Sequence, residues 1–283
     1  MLLPHTLAPD DAVDLQLHTI HSDGTWTIEA LLDHLVAAGF ALVAVTDHDH
    51  LDTVAAVQQL GAARGLPVVA AAELSSVWEG EMLDLLCYGF DPSAPGPLGT
   101  LAAATRGEQL ANLAETYATL RQQGYHFPEA ARILAPRDGQ VSRLEDLAAL
   151  LTGHGYTDGV GPIIRGAGFR WITADPAAIL DAAHRSGAVC LIAHPGRGEE
   201  FIRFDTERLD RFRAQVPIDG LEAQYPLHTA EQVALYRAYA KQHGLLISAG
   251  SDSHGPEGRL PIKNPASAVQ AFLQRLGIRV SAE

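Results

Sequence analysis

Short apolar runs alternate with amphipathic stretches along most of the chain. Residues 12–17, 41–45, 68–71, 188–192, 220–223 and 245–248 read as strands, with 83–88 as a further candidate. Between them, residues 27–38, 51–64, 176–186, 206–215 and 229–243 carry helical periodicity. Thr27 stands where an N-cap is wanted, and Gly39, Gly65, Gly187 and Gly244 follow the helices where a left-handed residue ends them. Apolar strands separated by helices predict a parallel sheet covered by helices. Residues 92–175 break the rhythm. Asp91-Pro92-Ser93-Ala94-Pro95-Gly96-Pro97 signals a loop, helical patterns follow at 98–123, 128–134 and 143–151, and the glycine-rich stretch 153–168 reads as a loop. One α/β domain over residues 1–283 with a helical insertion at 92–175 is the expected organisation.

Composition narrows the class. Of 283 residues 47% are hydrophobic, enough for a sizeable core. Two cysteines, Cys87 and Cys190, exclude a disulfide scaffold and a Cys-built zinc or iron–sulfur site. No run reaches 18 apolar residues, and residues 1–12 lack the charged and apolar regions of a signal peptide, so a soluble cytoplasmic protein is expected. Twenty basic against 34 acidic residues leave a net charge of −14, which argues against long duplex nucleic acid or an anionic membrane as partner. Thirteen histidines qualify that statement, because bound cations would change the local field.

The chemistry gathers where strands are predicted to end. The first runs into Gln16-Leu17-His18-Thr19 and Ser22-Asp23-Gly24, the second into Thr46-Asp47-His48-Asp49. Glu73 and Asp84 lie on the next two, Ala193-His194-Pro195 follows another, and Gly250-Ser251-Asp252-Ser253-His254 the last. In a (β/α) barrel these ends converge on one face. Imidazole and carboxylate without thiolate suit Mn, Zn or Fe. Eight such ligands exceed the needs of one ion, and a carboxylate such as Glu73 is able to bridge two.

Together with Leu86-Cys87-Tyr88-Gly89, these motifs keep an order and spacing over residues 14–255 that resembles the PHP (polymerase and histidinol phosphatase) superfamily of metal-dependent phosphoesterases. Within it, the chain looks most like enzymes acting on 3′,5′-nucleotide bisphosphates and short RNA 5′ ends, which also carry a helical insertion. The resemblance implies a distorted (β/α)7 TIM-like barrel, two or three divalent metal ions, and hydrolysis of a small phosphorylated substrate by hydroxide held on the metal. Manganese fits best, with zinc or iron as alternatives. Carried over by position, His18, Glu73 and Asp252 hold one ion, Glu73 and His194 a second, and Asp23, His48 and His254 a third. Asp252, His254 and His194 become the catalytic candidates.

Two positions depart from the family pattern. Gln16 stands where the family usually has the first histidine of His-x-His, and Asp84 aligns with another usual histidine. A Gln carbonyl is a weaker ligand than imidazole, and a carboxylate is a harder one. Together they lower affinity at the first ion and shift the second toward oxygen-preferring metals such as Mn.

Several residues carry two readings. Arg197, Arg165, His228, Tyr225, His21 and His50 are candidates to bind substrate, or else loop and rim residues. Asp47 or Asp49 is expected to orient an imidazole, with helix capping as the alternative for Asp49. A different metal hydrolase of the amidohydrolase kind would want a strand-end lysine, and the chain has only Lys241 and Lys263. A degenerate barrel that binds nucleotide or metal without turnover is the non-enzymatic alternative, which Gln16 keeps open.

Overall fold

The computed structural model describes residues 6–94, 96–135 and 139–282. Packing divides these into two compact units, one holding the described residues up to Ala103 and from Thr173 onward, the other Ala104–Ile172.

The first unit opens with β1 (Thr6–Leu7), β2 (Ala12–Asp14), α1 (Ile28–Ala38), β3 (Leu42–Ala44), α2 (Val54–Ala63), β4 (Val68–Val69), β5 (Ala71–Trp78) and β6 (Glu81–Tyr88). Helix α3 (Gly96–Gln122) carries the chain across the boundary, and α4 (Ala130–Ile133), α5 (Leu144–Gly153) and α6 (Val160–Gly166) belong to the second unit. The chain returns with α7 (Pro176–Arg185), β7 (Val189–Ile192), α8 (Thr206–Gln215), β8 (Gly220–Gln224), α9 (Ala230–His243), β9 (Leu246–Ala249), β10 (Asn264–Pro265), α10 (Gln270–Arg275) and β11 (Arg279–Val280).

The local rules of the sequence account for α1. Thr27 accepts a hydrogen bond from the Ala30 amide, Gly39 closes the helix at φ +76, and Ile28, Leu31, Leu32 and Leu35 form one buried stripe. Strands β10-β2-β3-β4 make one sheet and β5-β6-β7-β8-β9 another. The β2-β3-β4 and β7-β8-β9 pairings are parallel, as the alternating pattern predicts. The apolar strands bury on both faces, in cores that include Leu15, Leu42, Leu86 and Leu191 on one side and Leu85, Ile192 and Leu221 on the other.

The sheet differs from expectation at its middle. β5 and β6 are antiparallel, as are β6 and β7. Only Glu79 and Gly80 separate Trp78 from Glu81, at φ +52 and +83, which are the two left-handed positions of a type I′ hairpin. Two residues cannot make a parallel crossover, which needs a dozen or more. The second unit contains a second correction. Residues 160–166 form helix α6 and not loop, because Gly155 and Gly159 stand before it at positive φ and Pro162 falls in its first turn, where no amide donor is needed. Its core is built from Leu113, Leu120, Leu147, Leu151, Ile164 and Ala167, rimmed by Tyr117, Phe127 and Tyr156. Among the described residues no helix is long and apolar enough to cross a membrane.

Beyond the regular strands, single bridges continue the pairing toward the carboxyl ends. Leu17 pairs with Ser253 and His48 with Glu73, while the Leu15 amide donates to Ala249 O at 3.1 Å and the Thr46 amide to Leu17 O at 2.8 Å. These bridges run through the motifs that carry the polar residues.

Candidate metal centre

Strand ends place the motif side chains in contact. His18 Nε2 lies 3.1 Å from Glu73 Oε2 and 3.2 Å from Asp252 Oδ1. His194 Nε2 lies 3.1 Å from Glu73 Oε1 and 3.7 Å from Asp84 Oδ2. His254 Nε2 is 3.0 Å from Asp23 Oδ2, and His48 Nε2 is 3.9 Å from both Asp23 Oδ2 and Glu73 Oε2. The imidazoles of His48, His18 and His254 stack with centroids 4.9 and 4.3 Å apart. Three groups have donor atoms all within 4.8 Å of one another: His18, Asp23, His48 and His254; His18, Glu73 and Asp252; His48, Glu73 and Asp84. The third places Asp84 with His48, where the carried-over scheme places His194 with Glu73; His194 adjoins the same two carboxylates.

The donor chemistry fits divalent cations. His18 is fully buried, yet neither ring nitrogen makes a hydrogen bond, and Asp84 Oδ1 and Gln16 Oε1 are buried without a partner too. Buried polar atoms left unsatisfied are costly, and a bound cation is one partner that imidazole nitrogens and carboxylate or amide oxygens can share. Gln16 uses its other end, Nε2, to donate to Glu73 Oε2 at 3.0 Å.

Charge coupling holds the cluster in opposed states. Burial works against ionisation of Glu73 and Asp23. The His48, His18 and His194 imidazoles nevertheless hold Glu73 well below the usual carboxylate range, and His48, His254 and His18 do the same for Asp23. Burial likewise works against charge on His48, but Glu73, Asp23 and Asp84 push it up to about 9. Asp84 goes the other way, to about 7, through burial and the neighbouring Glu73 carboxylate. Backbone strain collects here as well: His194, Asp49 and Asp252 adopt φ of +28, +50 and +54.

Other expected residues fall in different places. The half-buried His21 and His50 rings meet edge to face at 5.7 Å. Tyr225 is buried, with its hydroxyl donating to Asp252 Oδ2 at 3.1 Å. Arg197 is half-buried with its guanidinium 4.2 Å over the Phe201 ring, which itself meets His194 edge-on at 5.2 Å. His228 has both ring nitrogens on backbone, at Gly196 N and Ala223 O, and burial lowers its pKa to about 4. Arg165 is exposed on α6 of the second unit. Asp47 does not orient an imidazole: it accepts from Thr19 N and Oγ1 at 2.7 Å and from Ser22 Oγ at 2.6 Å, tying down the loop after β2. Asp49 does not cap α2, whose N-cap is Thr53; its Oδ1 accepts from the Ser75 amide.

The motif reading passed over three residues. Asp14, inside β2, accepts from the amides of Gln16, Ser251 and Ile262, and burial raises its pKa to about 7. Glu222, fully buried on β8, accepts from the His194 amide at 3.0 Å. Arg259 touches Asp252. A charged residue inside an otherwise apolar strand was the visible signal for the first two; Arg259 offered none.

No family model matches the chain. Among curated proteins, it is 30% identical over 263 residues to the 5′-3′ exoribonuclease Rnm of Escherichia coli, covering 86% of this chain and 85% of that one. The chain belongs to the PHP superfamily of metal-dependent phosphoesterases. A 3′,5′-nucleoside bisphosphate phosphatase of Chromobacterium violaceum is 28% identical, covering 86% of this chain and 87% of the relative. In fold, the PHP chain matches a metal-dependent phosphoesterase structure from Bifidobacterium adolescentis with a TM-score of 0.76, 23% identity, and 95% and 97% of the two chains covered. It also matches an amidohydrolase structure from Chromobacterium violaceum with a TM-score of 0.73, 24% identity, and 89% and 91% coverage. As a PHP phosphoesterase the chain is a hydrolase of phosphate esters.

Proposed function

We propose that this enzyme hydrolyses phosphate esters of small nucleotides, 3′,5′-nucleotide bisphosphates or the 5′ ends of short RNAs, at the cluster centred on Glu73. The observation that carries this reading is that Glu73 presents Oε2 to His18 and Oε1 to His194, and joins two of the three candidate ligand groups. In this reading His18, Glu73, Asp252, Asp84, His194, Asp23, His48 and His254 hold two or three divalent ions, and Gln16 stays a hydrogen-bond donor to Glu73. Carboxylate oxygens beside imidazoles favour manganese. Such ions supply the Lewis acidity that makes water nucleophilic near neutral pH and offsets charge on phosphoryl oxygens.

The chain's own residues shape the site. His254 is the outermost imidazole of the cluster, with its side chain 36% exposed and Nε2 3.0 Å from Asp23 Oδ2, so it would hold an ion at the side of the site that substrate and water reach first. Asp252, held to about 2 by His18 and its neighbours against the effect of burial, stays ionised as a ligand. Arg197 and His21 with His50 are candidates to contact substrate phosphate. We take the two main sheets as a distorted (β/α)7 barrel, supported by the Leu17–Ser253 and His48–Glu73 bridges, with residues 92–175 as an insertion in a single PHP domain. The net charge of −14 suits a small substrate drawn in by cations better than a duplex held on a basic face.

The test loads metal-stripped protein with Mn²⁺ and measures phosphate release from adenosine 3′,5′-bisphosphate and mononucleotide release from a 5′-phosphorylated RNA trimer. Turnover of either supports the reading. The rival, a nucleotide-binding module without turnover, draws on the Gln16 contact with Glu73. It predicts metal-dependent binding of the bisphosphate and no release from any phosphoester.

A further inference from the structure

Arg259 lies seven residues beyond Asp252, outside every motif. Its Nη1 donates to Ser251 O at 2.8 Å and reaches Asp252 O at 3.4 Å and Asp252 Oδ2 at 3.3 Å. The guanidinium carbon sits 5.2 Å over the Tyr225 ring, and the Tyr225 hydroxyl donates to the same Oδ2 at 3.1 Å. Asp252 is 5% exposed and adopts φ +54, a conformation that an L-residue keeps only when its surroundings hold it. Its other oxygen, Oδ1, faces His18 Nε2 at 3.2 Å and His254 Nδ1 at 3.6 Å.

The two oxygens of one carboxylate are thus divided between two tasks. The last torsion of an aspartate is broad and roughly two-fold, so an unsupported carboxylate turns easily. Here a tyrosine hydroxyl and a guanidinium hold Oδ2, while the same guanidinium nitrogen grips the backbone carbonyls of the strained turn. We propose that Arg259, with Tyr225, is a positioning residue of the metal centre: it clamps the Ser251–Asp252 turn and fixes the carboxylate so that Oδ1 alone faces the cluster. The inference rests on the reading of Asp252 as a metal ligand. Outer partners of ligand side chains commonly change metal affinity 10–100-fold when removed.

All three hydrogen-bond contacts come from one nitrogen, so a lysine ammonium keeps the charge and a donor but loses the planar stack on Tyr225 and part of the reach. That sets the test. The full chain is stripped of metal and the Mn²⁺ dissociation constant measured by competition with a chromophoric chelator, for wild type, Arg259→Gln, Arg259→Lys, Tyr225→Phe and Asp252→Asn. Thermal midpoints are recorded with and without Mn²⁺. The clamp predicts a roughly 10–100-fold weaker constant for Arg259→Gln, and smaller losses for Tyr225→Phe and Arg259→Lys. It also predicts a smaller rise in midpoint on adding Mn²⁺. A residue that only braces the fold would lower the metal-free midpoint and leave that rise, and the dissociation constant, as in wild type; this result overturns the proposal. Should Arg259→Gln fail to fold, Tyr225→Phe and Arg259→Lys decide by the same measurements. Wild-type affinity in Asp252→Asn overturns the ligand reading and the clamp with it. Lost affinity in Asp252→Asn with wild-type affinity in the Arg259 and Tyr225 variants overturns the clamp alone.

Discussion

The two ends of the metal centre solve the same electrostatic problem differently. At one end, Asp23 lies among the stacked His18, His48 and His254 imidazoles, and its carboxylate is held well below its usual range despite burial. At the other, Glu73, Asp84 and Gln16 bring oxygens together, Asp84 is pushed up to about 7, and Asp84 Oδ1 and Gln16 Oε1 are buried without partners. Protons on imidazoles compensate the first end when no cation is present. The difference is that imidazole charge compensates Asp23 at the first end, whereas at the second Asp84 is neutralised by taking up a proton, the place a cation would take.

The largest expected effect comes from the residue the two ends share. Glu73→Gln removes a charge that faces His18 and His194 from opposite oxygens. If Glu73 is a ligand shared by the ions, its loss would remove several kcal/mol of transition-state stabilisation, and kcat/KM is expected to fall by about a thousandfold or more. Metal content of the purified variant checks the cause. A variant that keeps full metal and full activity would show that the ends work independently of Glu73.

Next in size is the coupling of metal binding to protons. In the metal-free protein His48 titrates near 9 rather than 6.5, and Asp84 near 7 rather than 3.8. A divalent ion displaces both protons at lower pH. Apparent Mn²⁺ affinity therefore climbs with pH, by about one decade per unit for each proton displaced, and more steeply below 7 than between 7 and 9. The sign for stability follows. Both folded values lie above the unfolded ones, so both groups stabilise the metal-free fold at low pH, and that contribution is lost as pH rises through about 7 and about 9. The melting midpoint of the metal-free protein falls between pH 6 and 9, and added Mn²⁺ reverses the fall. Calorimetry in buffers of different ionisation enthalpy counts the protons released.

A smaller effect tests the oxygen end alone. Gln16→His replaces an amide that donates to Glu73 with an imidazole able to accept a cation. The Mn²⁺ dissociation constant should drop by about tenfold, in the range seen for changes around ligand side chains, and the preference for zinc over manganese should increase. No change in either would place position 16 outside the metal centre.

Much of this was legible in the chain. Apolar runs, Thr27 and Gly39 located α1 and its neighbouring strands, and the spacing of Asp23, His48, Glu73, His194 and Asp252 pointed to one cluster. Tertiary contact was not legible. Asp47 looked like an imidazole partner by adjacency but spends its oxygens on Thr19 and Ser22, 25–28 residues away. His228 looked like a pocket residue but is consumed by two backbone groups. Arg259 reaches Asp252 from a segment with no periodicity at all. The hairpin was a local signal misjudged, as was the helix at 160–166: Glu79-Gly80 between β-rich runs outranks the parallel rhythm around it.

That hairpin supplies the smallest prediction, and it bears on the same comparison. β5 and β6 carry both carboxylates of the oxygen end, with Asp84 opposite Ser75, two positions along from Glu73. Gly80 sits at φ +83 with nothing within 4 Å of an added Cβ, so Gly80→Ala meets conformational strain without a clash. A cost of about 1 kcal/mol in urea unfolding is expected, with unchanged m-value. The ladder from Trp78–Glu81 to Ala71–Tyr88 holds the register, so Mn²⁺ affinity should stay as in wild type. If affinity falls while the imidazole stack at His18, His48 and His254 keeps its proton coupling, the turn is setting the spacing of Glu73 and Asp84. The oxygen end would then depend on hairpin geometry as well as on a cation, and the contrast between the two ends would be one of backbone support rather than of charge.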